Sequence, residues 1–255
     1  ILLPANEDGS YKLDKNALHI WPRGRFMLIA LANEDGSFTC TLFMPHENDK
    51  NAFDRLNDKA SVDKFFKATF PDFYEMMPNI ADSWEDHPLS SMAIVRCYPW
   101  TAGKVALMGD AAHATVPFYG QGMNAGFEDC TVMWDLMQQH NEDWGKVFEA
   151  YQQLRKPDGD GVQDLSLHNY HVMRDFVADP NFLLQKKIEA HFSSKHPDKW
   201  LPLYSQVTFS EIRYSEAWQT GQKQDAIMKK VMAQFNNIET VWDSPAVEHA
   251  ILAAL

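Results

Sequence analysis

The stretch from Val105 to Asn124 constrains this chain more than any other. It opens with a short apolar run, Val105-Ala-Leu-Met108, of the kind that forms a buried strand. Gly109-Asp110 follows, so a glycine can admit a ligand close to the backbone while a carboxylate stands at the strand's carboxyl end. Pro117 then enforces an extended approach, and Gly120 and Gly122 permit a sharp turn. From Met123 onward Met123, Phe127, Val132, Met133, Leu136 and Met137 recur at helical spacing, which predicts a helix starting just behind the glycines. Strand, glycine turn and helix in succession place the chain in the α/β class.

A loop that runs into a helix N-terminus points unpaired backbone N–H groups, and the positive end of the helix dipole, at whatever it holds. An anion or an electron-rich carbonyl is favoured there. Asp110 suits a complementary task, because an ionised carboxylate only accepts hydrogen bonds and can bind the hydroxyls of a ribityl or ribose chain. Pro117, Gly120, Gln121, Gly122, Met123 and Asn124 with Asp110 therefore describe a seat for one ligand with an anionic end and a polyol stem. A Gly-Asp pair alone is usually just a turn, and a lone Gly-x-Gly is a weak signal; the conjunction carries the reading. His113, in an Ala-Ala-His-Ala setting, reads as a satisfied structural histidine rather than a catalyst or ligand.

Gly109-Asp-Ala-Ala-His113 with Pro117, Gly120-Gln-Gly-Met-Asn124 and Glu128-Asp129 resembles the second FAD-contacting motif of the aromatic-ring hydroxylases, the single-component flavoprotein monooxygenases. Three further stretches resemble the kynurenine-hydroxylating branch of that family: Leu18-His-Ile-Trp-Pro22 with Ser37-Phe-Thr-Cys-Thr-Leu-Phe43, then Asn169-Tyr-His-Val-Met173, then Leu201-Pro-Leu-Tyr204 with Val207-Thr-Phe-Ser210 and Ile212-Arg-Tyr214. The resemblance runs from about Ala17 to about Ala217. It implies FAD as cofactor, NADPH as reductant, and L-kynurenine and dioxygen as substrates, with an oxygen atom entering C3 of the aromatic ring. It further implies that Asn169 and Tyr204 belong to a clamp for the substrate carboxylate, whose arginine and second tyrosine would lie outside this chain. Leu18, Ile29, Leu31 and Phe43 would wall an apolar pocket over the substrate ring, with Phe118, Tyr119 and Met173 also facing the substrate. From pattern alone the four apolar residues read equally well as plain core.

Members of that family begin with a strand, a Gly-x-Gly-x-x-Gly turn and a helix that hold the FAD pyrophosphate, and no such sequence occurs here. With no initiator Met at Ile1, the chain reads as the C-terminal portion of a longer polypeptide, and half a flavin site is expected to hold FAD weakly. Its partner would be the N-terminal half of the same polypeptide. Two other classes stay open: a different flavin-dependent aromatic hydroxylase or halogenase, and a non-catalytic binding module made of this portion alone.

Composition bounds the remaining classes. With 255 residues, 45% of them hydrophobic, there is material for a sizeable core in one or two domains. A balance of 23 basic against 35 acidic residues leaves a net charge of −12, which disfavours nucleic acid and anionic membranes as partners. Three widely spaced cysteines, Cys40, Cys97 and Cys130, argue against a disulfide framework and favour a reducing, cytoplasmic compartment. No run of about 18 apolar residues is present to span a bilayer. Since the family's mitochondrial members carry a C-terminal membrane anchor, the resemblance leads to the expectation of a soluble, bacterial-type form.

Three segments are expected. Residues 1–100 form a substrate-domain sheet with a covering helix, 101–155 the FAD-contacting strand, loop and helix, and 156–255 a helical region, so the portion as a whole is α+β. Arg25 to Ala32 and Phe38 to Met44 are predicted strands joined by Asn33-Glu-Asp-Gly36, a hairpin in which Phe38, Cys40, Leu42 and Met44 share one face and Thr39, Thr41 and Phe43 the other. A helix is expected over Ser61 to Phe70, capped by Ser61, stopped by Pro71 and turning Val62, Phe65, Phe66 and Phe70 inward. Ser91 to Tyr98 is strand-like. Pro157-Asp-Gly-Asp-Gly161 is expected to separate two helices, because proline removes a donor and glycine raises the entropy cost of ordering. Helices follow at Asp164 to Phe176, Phe182 to Phe192, Asp225 to Phe235 and Ala246 to Leu255.

Two apparent metal motifs fail on spacing. Counting Asp158 as the first position of a calcium loop puts Asn169 where a bidentate glutamate is needed, with glycine misplaced. His168 and His171 with Asp164 and Asp175 share a helical face but lack a further ligand for zinc. Asn169 with Met173 is the more informative pair, an amide donor and a thioether on neighbouring surface, able to fix an amino-acid headgroup while a ring rests on apolar atoms.

Overall fold

Alternating side chains build the first sheet. Met27–Ala32 (β3) and Phe38–Phe43 (β4) pair antiparallel with Ala30 opposite Cys40 and Leu28 opposite Leu42, and Leu2–Leu3 (β1) and His19–Pro22 (β2) flank them in the order β1-β4-β3-β2. Leu28, Ala30, Phe38, Cys40 and Leu42 turn one face into a core. The hairpin turn is stabilised by Asp35, whose carboxylate accepts from the Ser37 N–H and hydroxyl. The outer strands β1 and β2 are short and carry weak alternation, which is why only the hairpin stands out in the sequence.

Lys59–Thr69 (α1) and Pro71–Met76 (α2) close that core with Val62, Phe66, Phe70 and Phe73, all fully buried. The cap is Asp58, not Ser61. Its carboxylate accepts from the Ser61 N–H at 2.7 Å while the Ser61 hydroxyl serves the Asp58 N–H, a reciprocal capping box that starts the helix two residues earlier than serine alone predicts. Phe65 is only partly buried.

The structure is a computed structural model describing residues 1–255, and it divides into two compact units: residues 1–91 with 173–178, and residues 92–172 with 179–255. The first unit is the sheet with its two helices. The second is mostly helical, with one two-stranded ribbon of Thr101–Ala102 (β5) and Val105–Ala106 (β6). The chain is thus mixed α and β with antiparallel sheets.

Three expectations in the second unit are corrected. Val105 to Met108 is not a buried strand; only Val105–Ala106 pairs, and Val105 is exposed, because its sole strand neighbour is β5. Ser91 to Tyr98 forms no regular strand, although Val95 donates its N–H to the Ala114 carbonyl. Most sharply, Pro157 does not break a helix: Trp144–Arg174 (α5) runs through it for 31 residues. Its two glycines serve close packing instead. A Cβ on Gly159 would lie 2.7 Å from the Trp100 ring, and one on Gly161 would lie 2.7 Å from the Ser215 backbone nitrogen. Tertiary contact outweighs the local propensity to stop.

Asp110–His113 (α3), Gly122–Gln139 (α4), Pro180–Lys195 (α6), Leu203–Thr208 (α7), Tyr214–Met232 (α8), Ile238–Val241 (α9) and Pro245–Ala254 (α10) complete the second unit. Ile188, Phe192, Trp200, Met228, Val231, Val247 and Ile251 knit α6, α8 and α10 together. No helix is long and apolar enough to cross a membrane.

Candidate functional site

Gly109 and Gly120 both occupy left-handed backbone, at φ 55° and 67°, which only glycine adopts without strain. Gly109 caps α3 rather than ending a strand, so Asp110 stands at the first position of a short helix with its side chain exposed. Gly120 turns the chain into α4, and nothing lies within 4 Å of where its Cβ would be. The first bond within α4 runs from the Ala125 N–H to the Gln121 carbonyl, and no side chain caps the helix. The N–H groups of Gly122, Met123 and Asn124 therefore precede the helical ladder and point outward beside open space. Thr115 packs against Gly122, and its buried hydroxyl has no partner.

The rest of α4 departs from the expected apolar face. Its buried residues are Ala125, Asp129 and Leu136, whereas Met123 (71% exposed), Phe127 (65%), Cys130 and Trp134 (60%) form an outward apolar stripe at spacings of four, three and four. Helical periodicity was read correctly, but hydrophobicity did not reveal which face is inside, because the inner face is organised around a charge.

That charge is Asp129, fully buried. One carboxylate oxygen accepts from the Gly109 N–H at 2.9 Å and the other side of the same oxygen meets His113 Nε2 at 2.6 Å; the second oxygen accepts from Arg155 Nε at 2.7 Å. Burial alone would raise its pKa, but the bonds from His113, Gly109 and Arg155 outweigh it and hold the carboxyl at about 2. Arg155 also reaches Glu128 at 3.0 Å, Asp158 at 3.3 Å and the Ala125 carbonyl. Asp158 in turn accepts from Arg213 and from Ser215. This chain of charges ties the Gly109 turn to α4, α5 and α8, and it assigns Asp158 a structural bond where the sequence offered a false calcium loop. Arg155 escaped notice in the sequence, and Asp158 was weighed only as a calcium-loop position; their spacing of three on one helix was the available signal.

Of the other expected residues, Gln121 is buried and its side-chain oxygen accepts from Asn124 at 2.9 Å and from Tyr214 at 3.0 Å. Its side chain shapes the loop from within. Pro117 is exposed. Phe118 and Tyr119 are buried rather than at the loop's outer edge, against Tyr170 at 4.7 Å and stacked on Tyr204 at 5.8 Å. Asn169, on α5, donates its amide to the Phe118 carbonyl at 2.8 Å, joining that helix to the loop. Asn169, Tyr119 and Tyr204 share a cavity of about 220 Å³ with His168, Lys186 and Glu189. Burial, then the neighbouring Tyr204, pushes the Tyr119 hydroxyl well above its ordinary pKa, so it is a neutral donor.

Met173 is buried and groups with the first unit. In that unit Leu18, Ile29, Leu31 and Phe43 are not core. Ile29 and Leu31 face Thr41 and Thr39 across the ladder, and Met27 faces Phe43, all on the side of the sheet opposite Leu28 and Ala30. Leu18 and Leu31 are exposed, and Ile29 and Phe43 are half-buried.

Comparison with known proteins adds three findings. Residues 17–166 match the FAD binding domain family. Proteins named kynurenine 3-monooxygenase from Flavobacterium johnsoniae and Flavobacterium psychrophilum are 53% and 52% identical over 254 residues, covering 99% of this chain and 56% of each relative. The protein of that name from Christiangramia forsetii is 48% identical over 98% of the chain. The chain spans just over half the length of these relatives. The residues present fit one end of a flavin: an uncapped helix start behind a left-handed glycine, an orphaned Thr115 hydroxyl beside it, and an exposed acceptor at Asp110.

Proposed function

Because this chain belongs to the FAD binding domain family, we propose that it forms the isoalloxazine end of the FAD site, and part of the substrate site, of an enzyme that hydroxylates L-kynurenine to 3-hydroxykynurenine with NADPH and dioxygen. The observation that carries the proposal is the Asn169 amide bonded to the Phe118 carbonyl, which links the headgroup-binding helix directly to the loop that opens α4. When bound, FAD supplies the redox chemistry that delivers an oxygen atom to the ring.

The protein's part is binding, orientation and exclusion of water. The Gly122, Met123 and Asn124 N–H groups stabilise negative charge on the flavin's pyrimidine edge, pre-aimed by Gly120 and needing no reorganisation. Asp110 accepts hydroxyls of the ribityl chain. By the family resemblance, the Asn169 amide and the Tyr204 hydroxyl donate to the substrate carboxylate. Phe118 and Tyr119 dry the headgroup end. Leu18, Ile29, Leu31, Phe43 and Met173 supply apolar contacts for the ring. The outward stripe of Met123, Phe127, Cys130 and Trp134 is the surface on which the polypeptide holding the FAD pyrophosphate docks, in keeping with relatives nearly twice as long. Three free cysteines suit a cytoplasmic protein.

The test is to supply the full-length protein with FAD, NADPH and L-kynurenine and to follow 3-hydroxykynurenine against peroxide release. Coupled product formation supports the reading, and peroxide with no hydroxylated product refutes the substrate. Asp110→Ala should lower flavin occupancy on purification, and Asn169→Ala should raise KM for L-kynurenine with less effect on flavin occupancy. Unaltered occupancy in the first variant would sink the ribityl assignment.

A further inference from the structure

The cavity beside Asn169 is lined by two chemically different sets of side chains. Tyr119, Asn169 and Tyr204 offer neutral hydroxyl and amide groups. The same lining includes Lys186 and Glu189 from α6. Glu189 is buried, with only 6% of its surface exposed, yet it lines the cavity. One of its oxygens accepts from Gln185 at 2.9 Å and from Lys186 at 3.1 Å; the other accepts only from Lys186, at 2.9 Å. Gln185 is itself anchored on Asp225, so the carboxylate is held in place from behind. The second oxygen retains capacity for another donor.

Lys186 differs from its partner. Its side chain is half exposed, on a flexible stem that also lies over the Phe182 ring. A half-exposed ammonium contributes little to holding a buried carboxylate, so exchanging it for another ammonium costs little. His168, also in the lining, is held below its ordinary pKa by burial and does not compete as a cation near neutral pH.

We propose that Glu189 is the subsite for the α-ammonium group of the amino-acid substrate, with Lys186 as the ammonium it exchanges. The proposal rests on the kynurenine reading above and adds the residue that reads the headgroup's positive end. A zwitterion then meets a carboxylate and neutral donors in one cavity, and the cavity selects α-amino acids over the corresponding plain acids.

The test compares L-kynurenine with its deamino analogue, the same molecule bearing hydrogen in place of the α-amino group, on the full-length FAD-loaded enzyme. Glu189→Gln is expected to raise KM for L-kynurenine by about 10- to 100-fold, the range for a hydrogen bond to a charged group, with kcat and flavin content preserved. KM for the analogue should stay within about twofold, so the enzyme loses its discrimination. Lys186→Met should leave KM for L-kynurenine equal or lower, because the competing ammonium is gone. Equal losses on both substrates in Glu189→Gln, or retained discrimination, would overturn the assignment, as would a raised KM for both substrates in Lys186→Met. If the wild type hydroxylates L-kynurenine while Glu189→Gln still discriminates, only this inference fails. If the wild type makes no 3-hydroxykynurenine, the underlying reading fails with it.

Discussion

Replacing Arg155 by Met tests whether the buried charge chain holds the flavin-binding turn. The guanidinium is 1% exposed and its partners Asp129 and Asp158 are 0% and 2% exposed, so methionine fills the space but leaves two carboxylates short of their shared cation. Removing one member of a buried pair costs about 3–5 kcal/mol, much of it the desolvation of the charge left behind. Unfolding entropy scales with length, so in a full-length protein nearly twice this size each kcal/mol lowers Tm by about 1–2 °C and the fall should be about 3–10 °C by calorimetry. The contrast is Arg96→Met. Arg96 pairs with Asp160 and Asp164 but is 44% exposed, and such pairs are worth about 0–1 kcal/mol. The pH dependence carries a sign. Asp129 is held at about 2, below its unfolded value, so its contribution is fully present above that unfolded value, near 4, and is lost as pH falls toward 2. The Arg155→Met deficit should therefore be full at neutral pH and shrink on acidification. A fall in Tm of under 2 °C at pH 7, or a deficit no larger than that of Arg96→Met, would refute the argument that this network organises the unit.

Gly161→Ala should destabilise despite better helix propensity, by about 1–3 kcal/mol, because the new Cβ would meet the Ser215 backbone at 2.7 Å; an unchanged or raised Tm would show that α8 can shift away. Asp58→Ala removes one half of the α1 capping box and should cost about 1 kcal/mol, measured by urea denaturation, with Asp58→Asn largely restoring it. Cys130 in the full-length protein should react with a thiol reagent far more slowly than in the denatured chain, as followed by peptide mass mapping; reaction at the free-thiol rate would mean that nothing covers the α4 stripe. Phe127→Glu should lower flavin retention by disturbing that same covered face, and normal retention would argue against docking there.

Much of the site was legible because its parts are local. The Gly109, Gly120 and Gly122 turn chemistry announced a ligand seat at a helix start, and the Asn33 to Gly36 turn between alternating runs announced the hairpin, since backbone conformation and side-chain period act over a few residues. Asn169 and Tyr204 were named as partners only by resemblance; nothing in their spacing of 35 residues could bring them to one cavity. Ser61 was mistaken for a cap because serine and aspartate compete for the same role, and which of them sits outside the first turn depends on where the helix packs.

The amino-acid sequence by itself determined the elements whose cause is short-ranged: the β3–β4 ladder, the α4 start, the aromatic face of α1 and the absence of an apolar run fit to cross a bilayer. Tertiary structure alone decided that α5 passes through Pro157, that its glycines admit Trp100 and Ser215, and that the inner face of α4 centres on Asp129. Local propensity costs about 3 kcal/mol at an internal proline, and a close-packed interior with a shared buried guanidinium outweighs it only when segments distant in sequence meet.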